Sequence, residues 1–423
     1  MGYRFDQGVL KLSLESAFSQ GGAAWAYWPL RGGRLNTGGL VQKYHPRDSM
    51  RAQNAPQPGI VGCKSDSTLS LPGWLHGWKL SGAVDALPVL ADYNACIDAR
   101  IMASALGAVW YHAALLEGTT IAGTTASLLK LGVGEAAAGG YVAGAAIVVD
   151  TSATATPKYE VGWVKVIAVD DLTLEAPLTA APAIGKKVWG SITCHQPLND
   201  FMVQALGATF QGHPADEYYA IKGIEATSLK MTYTPKDFLT LDLECAVNDW
   251  TRSAGAAPVP AALTGPDREP VINSVCRFAP VGGATTTLDC SAFEIDWALK
   301  TILVDDPNGT QGRKRSVIGL ADPRIKVNPL YISEAWITAF EAGTQFSLSV
   351  QVGTAPGRIV AVGTPAAVLV QTVREVDRNG ASAVALEFMP VEYAGDDVAG
   401  TYQRSGAATP TPPTDAILKV AFG

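Results

Sequence analysis

The chain has 423 residues, 48% of them hydrophobic and 17% charged, enough to bury a sizeable core and to divide into two or three domains. Its formal net charge of −7 argues against sequence-independent binding of DNA or RNA, which needs a dense Lys/Arg surface. It suits a surface over which nucleic acid slides without sticking, and the low charge content points to a surface covered in an assembly.

Met1 to Asp6 shows no charged-then-apolar leader. The longest small-apolar run, Ala136 to Val149, is too short and too rich in Gly to span a bilayer. Synthesis in the cytoplasm without membrane contact is therefore expected. Residues 1–60 read as an N-terminal arm and loop: Val9 to Leu14 alternates, and Leu40 through Pro58 is polar with few apolar anchors. Lys64 to Leu71 alternates as a strand. From Val84, with Pro88 in the first turn, Leu90, Tyr93, Ile97, Ile101, Ala105 and Ala108 recur at helical spacing and predict a helix lying on a sheet.

Residues of about 115–190 change character to Gly, Ala and Thr, with short strands at Gly144 to Asp150 and Trp163 to Val169 and a turn at Asp170-Asp171. This block reads as a small β insertion in a first domain of residues 61–254. Ser228 to Tyr233 then alternates into a turn at Pro235-Lys236-Asp237. The return strand places Leu239, Leu241, Leu243, Cys245 and Val247 inward and Thr240, Asp242, Glu244 and Asn248 outward.

Residues 255–270, rich in Pro and small side chains, form a linker. A second domain spans 271–423. Phe293, Ile295, Trp297 and Leu299 alternate with Glu294, Asp296, Ala298 and Lys300, and a turn sits at Pro307-Asn308-Gly309. Ile332 to Ala342 suits a short helix. Phe346 to Val352 alternates as a half-buried strand. Ala367 to Val376 runs to a hairpin turn at Asp377-Arg378-Asn379-Gly380, with a return strand at Val384 to Phe388 and a last strand at Ile417 to Phe422. The shared plan of the halves reads as a duplication.

Catalytic motifs are missing. There is no Gly-x-Ser-x-Gly, and His45, His76, His112, His195 and His213 are scattered. Gly185-Lys186-Lys187 lacks the rest of a phosphate loop, and Gly132 to Ala137 imitates a dinucleotide fingerprint without a βαβ unit. Cys194-His195 has no second pair at metal-ligand spacing, and Asp305 to Gly309 fits a plain β-turn. The cysteines (Cys63, Cys96, Cys194, Cys245, Cys276, Cys290) stand singly and read as reduced, mostly buried thiols. No catalytic, metal or cofactor site is expected. Two surface patterns remain. Asp242, Glu244, Glu294 and Asp296 point outward from strands, either as an ordinary wet face or as a repellent lining for a polyanion. Arg313, Lys314 and Arg315 form the one dense basic cluster, a solvated loop or a contact to a neighbouring subunit.

Several segments together resemble the major tail tube protein of long-tailed (siphovirus-like) bacteriophages, in its two-domain type. They are the arm with Leu12 to Phe18 and Leu40-Val41-Gln42, the sheet hairpin of the first half over Ser228 to Val247, that of the second half over Phe293 to Val304, and the C-terminal block with Phe346 to Val352, Gly363-Thr364-Pro365 and the Asp377 to Gly380 turn. The resemblance implies a mainly β fold: two tandem β-sandwich or β-barrel domains, each with a packed helix, plus the insertion. It implies trimeric rings mimicking sixfold symmetry that stack into a virion tail tube, meet other tail proteins at the tube ends and pass genomic DNA without specific binding. Asp242, Glu244, Glu294 and Asp296 are then lumen-facing, and the insertion faces outward and can be deleted without losing tubes. The alternative is a carbohydrate- or cell-surface-binding β-sandwich protein of a tail tip, with Trp74, Trp78 and Trp110 as stacking candidates.

Overall fold

A computed structural model describes residues 9–15, 26–28, 34–36, 42–43, 60–61, 67–77, 96–111, 117–153, 158–196, 206–211, 217–234, 237–254, 274–280, 286–288, 290–318, 322–329, 338–339, 341–355, 357–370, 374–378, 381–391 and 416–423. The fold is mainly β and its ladders are antiparallel. The first strands are β1 (Val9–Leu14), β2 (Ala26–Trp28), β3 (Arg34–Asn36), β4 (Gln42–Lys43), β5 (Ile60–Val61), β6 (Ser67–Ser70) and β7 (Gly73–Trp74). Parts of the expected arm are thus sheet: β1 pairs with β2, β3 pairs with β6, and Leu12 is fully buried.

Helix α1 (Ile97–Leu106) ends before the apolar spacing predicts. Gly107 ends it in a left-handed conformation (φ 98°) and donates its N–H to the Ala103 carbonyl at 2.8 Å, a turn that glycine adopts without a Cβ clash. Ala108 opens β8 (Ala108–Trp110) instead of extending the helical face, and residues 84–95 lie outside the described ones. All ten helical residues are buried, Asp98 and Arg100 included.

The insertion forms its own six-stranded sheet from β9 (Gly118–Thr119), β10 (Leu128–Lys130), β11 (Ala146–Asp150), β12 (Tyr159–Ala168), β13 (Asp171–Leu174) and β14 (Lys187–Gly190), in the order β10-β13-β12-β11-β14-β9. It leaves and re-enters the main sheet on neighbouring strands, since β8 pairs with β15 (Ile192–His195). Alternation along β11 serves two cores. Ile147 and Val149 join Leu129, Val164, Leu172 and Val188 inside the insertion, while Ala146 and Val148 join Val161 and Trp163 against Ile359, Ala361 and Ala421 of the second half.

The main sheet continues with β16 (Leu206–Gln211), β17 (Glu217–Tyr233) and β18 (Thr240–Ala254). Alternation here behaves as expected: Leu239, Leu241, Leu243, Cys245 and Val247 are buried, and Asp242 and Glu244 are exposed. Asn248 departs from the expectation, being 1% exposed on the face assigned to solvent.

The second half comprises β19 (Ser274–Pro280), β20 (Thr286–Leu288), β21 (Cys290–Asp296), β22 (Thr301–Asp305), β23 (Arg313–Ile318), β24 (Arg324–Pro329), β25 (Gln345–Val352), β26 (Val360–Leu369), β27 (Arg374–Arg378), β28 (Ala381–Pro390) and β29 (Lys419–Phe422). Phe293 to Asp296 does not fold back on Thr301 to Val304. It pairs with β17 on one edge and β24 on the other, while β22 and β23 form a separate ribbon. Arg378 pairs with Ala381, so the connection is the two residues Asn379 and Gly380, as the turn residues predict; they lie outside the described ones. Of the helix expected over Ile332 to Ala342, the described part is one turn, closed by the Ala342 N–H on the Thr338 carbonyl at 3.0 Å.

Phe346 to Val352 is buried on both faces, not on one. The insertion covers the polar face. Trp163 Nε1 donates to Ser349 Oγ at 3.1 Å, and the Val161 N–H donates to Gln351 Oε1 at 2.8 Å. The insertion therefore does not hang free of the second half, and deleting it would strip both a core face and these hydrogen bonds from β25. The same contact makes Gly363 a sensitive position, because a Cβ there would fall within the Trp163 indole. Gly363→Val is expected to destabilise the fold by about 1–3 kcal/mol through overpacking, read as a lowered urea midpoint. An unchanged midpoint would show that the insertion can shift away at no cost.

The two halves share one order of pairing. The first runs β2-β1-β16-β17-β18-β6-β3, and the second runs β20-β19-β25-(β26, β27)-β28-β24-β21. The ribbon β4–β5 falls between β3 and β6 in sequence, as β22–β23 falls between β21 and β24. Helix α1 precedes β16, and the turn at Thr338 precedes β25.

Sheet pairing joins the halves in two places. Lys230 to Tyr233 of β17 pairs with Phe293 to Asp296 of β21, and β15 pairs with β29, which pairs in turn with β26. Met231, Tyr233, Phe293 and Ile295 are all at most 3% exposed beneath the first joint. At about 1.5–3 kcal/mol for each fully buried large apolar side chain, this joint is core and not a hinge.

Candidate functional site

The β17–β21 joint creates a polar sheet face shared by both halves. Its rows follow from the register. Asp242 of β18 lies beside Lys230 of β17, Lys230 beside Asp296 of β21, and Asp296 beside Arg324 of β24. The next row runs Thr240, Thr232, Glu294, Lys326 and, on β28, Glu387. Glu244 sits between Ser70 and Ser228. Asp242, Glu244, Glu294 and Asp296 thus share one face, as their alternation predicts, while Leu241, Leu243, Ile295, Ile325 and Phe388 fill the other.

The face is not a uniform acidic lining. Lys230 Nζ lies 2.9 Å and Lys326 Nζ 3.6 Å from Glu294 Oε1, and Arg324 Nε lies 3.9 Å from Glu387 Oε1. Ser70 Oγ donates to Glu244 Oε1 at 2.6 Å, and Asp296 Oδ1 accepts from the Ala298 N–H at 2.8 Å. Pairs this exposed contribute about 0–1 kcal/mol each, so their effect lies in charge distribution. With Glu387 added to the four acids, five carboxylates face Lys230, Arg324 and Lys326, an alternating pattern with an acidic excess. The cations arrive from a strand one step away in register (Lys230) and from a strand some thirty residues on (Arg324, Lys326), so the four acids read alone could not reveal them.

The basic cluster occupies the ribbon. Lys314 is 69% exposed and 4.0 Å from Asp306, Arg313 is half-buried, and the side chain of Arg315 lies outside the described residues. The ribbon folds over the far end of the polar face. Ser316 donates both its N–H (2.8 Å) and its hydroxyl to the buried Glu225, and Thr301 Oγ1 donates to the Ala226 carbonyl at 2.5 Å. At the turn of the ribbon Gln311 Nε2 lies 3.4 Å from Asp249 Oδ1, next in sequence to the buried Asn248.

A second polar cluster, which the sequence reading missed, lies where the insertion meets the second half. Arg277 and Glu160 are both fully buried, with Arg277 Nη1 3.6 Å from Glu160 Oε2. Arg277 also donates to the carbonyls of Pro177 (3.3 Å) and Val161 and to Ser349 Oγ (3.2 Å). Burial pushes the Glu160 carboxyl up, but the Arg277 charge and hydrogen bonds from Thr179 outweigh it and hold the group below the ordinary carboxylate range. Nearby, Lys419 Nζ lies 2.5 Å from Glu175 Oε1 and 5.2 Å from the centre of the Trp163 ring. Nothing local in sequence marks these charges, since partners lie 117 and 244 positions apart.

Cys194-His195 is a buried structural pair. Burial, and then the nearby Lys419 charge, bring His195 down to about 3, so it stays neutral, and burial raises the Cys194 thiol well above its usual value. Neither group is suited to proton transfer or nucleophilic attack near neutrality. Among the described residues, no group of three or more His, Cys, Asp or Glu side chains is placed to hold a metal ion, and no helix is long and apolar enough to cross a membrane. Of the tryptophans considered for sugar stacking, Trp74 packs edge-on against Phe238 at 5.7 Å, Trp110 lies in β8, and Trp78 lies outside the described residues. Neither a protein-family model nor a curated protein matches the sequence.

Proposed function

We propose that the chain is a structural subunit that assembles with copies of itself into the tail tube of a long-tailed bacteriophage, and that it is not an enzyme. The observation that carries this reading is the single charged face that crosses both halves through the β17–β21 joint. A face with mixed signs and an acidic excess offers DNA no run of cations to neutralise its phosphates, so a duplex passes it without the counterion release that drives adsorption. The internal repeat supports the same reading, because two copies of one sheet order in each chain let three chains mimic six positions around a channel. In this reading the subunit belongs to the virion, is made in the host cytoplasm and meets other tail proteins at the tube ends.

Negative-stain electron microscopy of the purified chain across a concentration series tests it. Rings or hollow tubes with threefold or pseudo-sixfold end views are expected. Compact monomers at every concentration, with and without tail-tip proteins to seed growth, would overturn the proposal.

A further inference from the structure

We propose that Lys419 and Glu175 condense into an amide, a side-chain cross-link that ties the last strand, β29, covalently to the insertion. The inference stands on the buried joint alone and holds whether or not the chain forms tubes.

The site is built from both sides of the joint. Lys419 opens β29 and has His195 of β15 and Gly363 of β26 as its cross-strand neighbours. Such neighbours share a face of the sheet. Here it is the face that the insertion covers, since Ala421, two residues on, packs with Val148 and Trp163. Gly363 leaves the room that the Trp163 indole fills. A hydrogen bond from the indole to Ser349 Oγ at 3.1 Å fixes the ring, whose centre lies 5.2 Å from Lys419 Nζ. Glu175 comes from the insertion, held beside the same tryptophan by its N–H on the Trp163 carbonyl at 2.8 Å. Nζ and Oε1 meet at 2.5 Å, with the lysine side chain 1% and the glutamate side chain 8% exposed.

Lysine is almost never buried this completely, and each ion of a buried pair carries a desolvation cost. In water an ammonium and a carboxylate resist condensation, because the amide gives up two solvated charges. Here that solvation is already lost, so a neutral amide relieves the cost instead of adding to it. Holding the two groups in contact also replaces a bimolecular encounter by an effective concentration of about 10⁵–10⁸ M for well-oriented groups. His195 is held neutral by burial, so it adds no second cation to compete for Glu175.

The atoms balance without a co-reactant. One proton passes from Nζ to Oε1, leaving an amine and a carboxylic acid. The nitrogen lone pair adds to Cδ of Glu175, and the bond from Cδ to the protonated oxygen breaks. That hydroxyl takes a second proton from nitrogen and leaves as water. The product is a secondary amide that keeps the last N–H proton. It joins positions 244 apart in sequence and spans the seam where β29 lies between β15 and β26.

Intact-mass spectrometry of the denatured full chain tests this. The chain is expected to be one water lighter than its sequence requires, after allowance for the initiator Met. Peptide mapping should find the loss in a branched peptide that joins Glu175 to Lys419. Lys419→Met and Glu175→Leu chains should each show the full mass of their own sequence, with circular dichroism as the check of fold. Should either variant fail to fold, the map of the unmodified chain decides by itself. The full sequence mass in the unmodified chain, both freshly purified and after prolonged storage, would leave an ordinary buried ion pair and overturn the proposal. A water loss mapped to any other residues would overturn it equally. Neither result touches the tube reading, which electron microscopy decides separately.

Discussion

Arg277→Met is expected to cost the folded chain about 3–5 kcal/mol, as removal of one partner from a buried ion pair does. Glu160 would be left fully buried with its hydrogen bonds from Thr179 and the half-exposed Lys158 Nζ 3.1 Å from Oε1, but without the buried guanidinium that offsets most of its desolvation. Ser349 Oγ and the Pro177 carbonyl would lose a donor at the same time. The double change Glu160→Met with Arg277→Met should recover much of the loss, because an apolar pair of similar volume leaves no buried charge. Urea unfolding of the three variants against the unmodified chain measures this. A single-variant loss below about 1 kcal/mol, the range of an exposed pair, would show that water reaches the cluster.

The same pair gives the pH dependence a sign. The Glu160 carboxyl lies below its ordinary value in the folded chain, so the unfolded chain binds the proton more readily. The stabilisation is fully present above the unfolded value and is lost as pH falls through the folded one. The unmodified chain should therefore lose stability in acid more steeply than the double variant. Parallel acid profiles would remove Glu160 from the account.

Asp242→Lys combined with Glu244→Lys is expected to leave assembly intact and to make assembled tubes retain duplex DNA. Both side chains are exposed, and the change removes the carboxylate that accepts the Ser70 hydroxyl. With Lys230, Arg324 and Lys326 already present, the reversals turn an acidic excess into a basic one across neighbouring strands. Binding should weaken with salt, the slope of log K against log salt steepening by roughly 0.9 for each phosphate neutralised. Co-sedimentation of DNA with tubes across a salt series reads this. If the reversed tubes carry no more DNA than the unmodified ones, the face does not line the path.

Much of the local structure was legible before any coordinates. Period-two alternation identified β17 and β18 and told their buried face from their exposed one, because one-sided burial leaves a direct trace in a strand. The same rule put Asp242, Glu244, Glu294 and Asp296 on the outward face of their strands. It could not show that the strands form one sheet, since β17 and β21 are brought edge to edge only by folding. Nor could it supply Lys326 as the partner of Glu294 across that sheet.

The failures share a cause. Phe346 to Val352 alternates as a half-buried strand should, yet both of its faces are buried, with the insertion as a second layer over Ser349 and Gln351. The outward register of Asn248 is equally plain in sequence, yet the residue is buried where the β22–β23 ribbon bonds its neighbour Asp249 and the nearby Glu225. Apolar spacing of three and four carries the expected helix to Ala108, whereas Gly107 turns the chain in a left-handed conformation and ends it at Leu106. Residue types and their periods determined which strands exist and which way their side chains face. Only the tertiary structure decided what covers each face, because burial by a distant segment depends on contacts between residues 62 to 190 positions apart, and no local pattern records them.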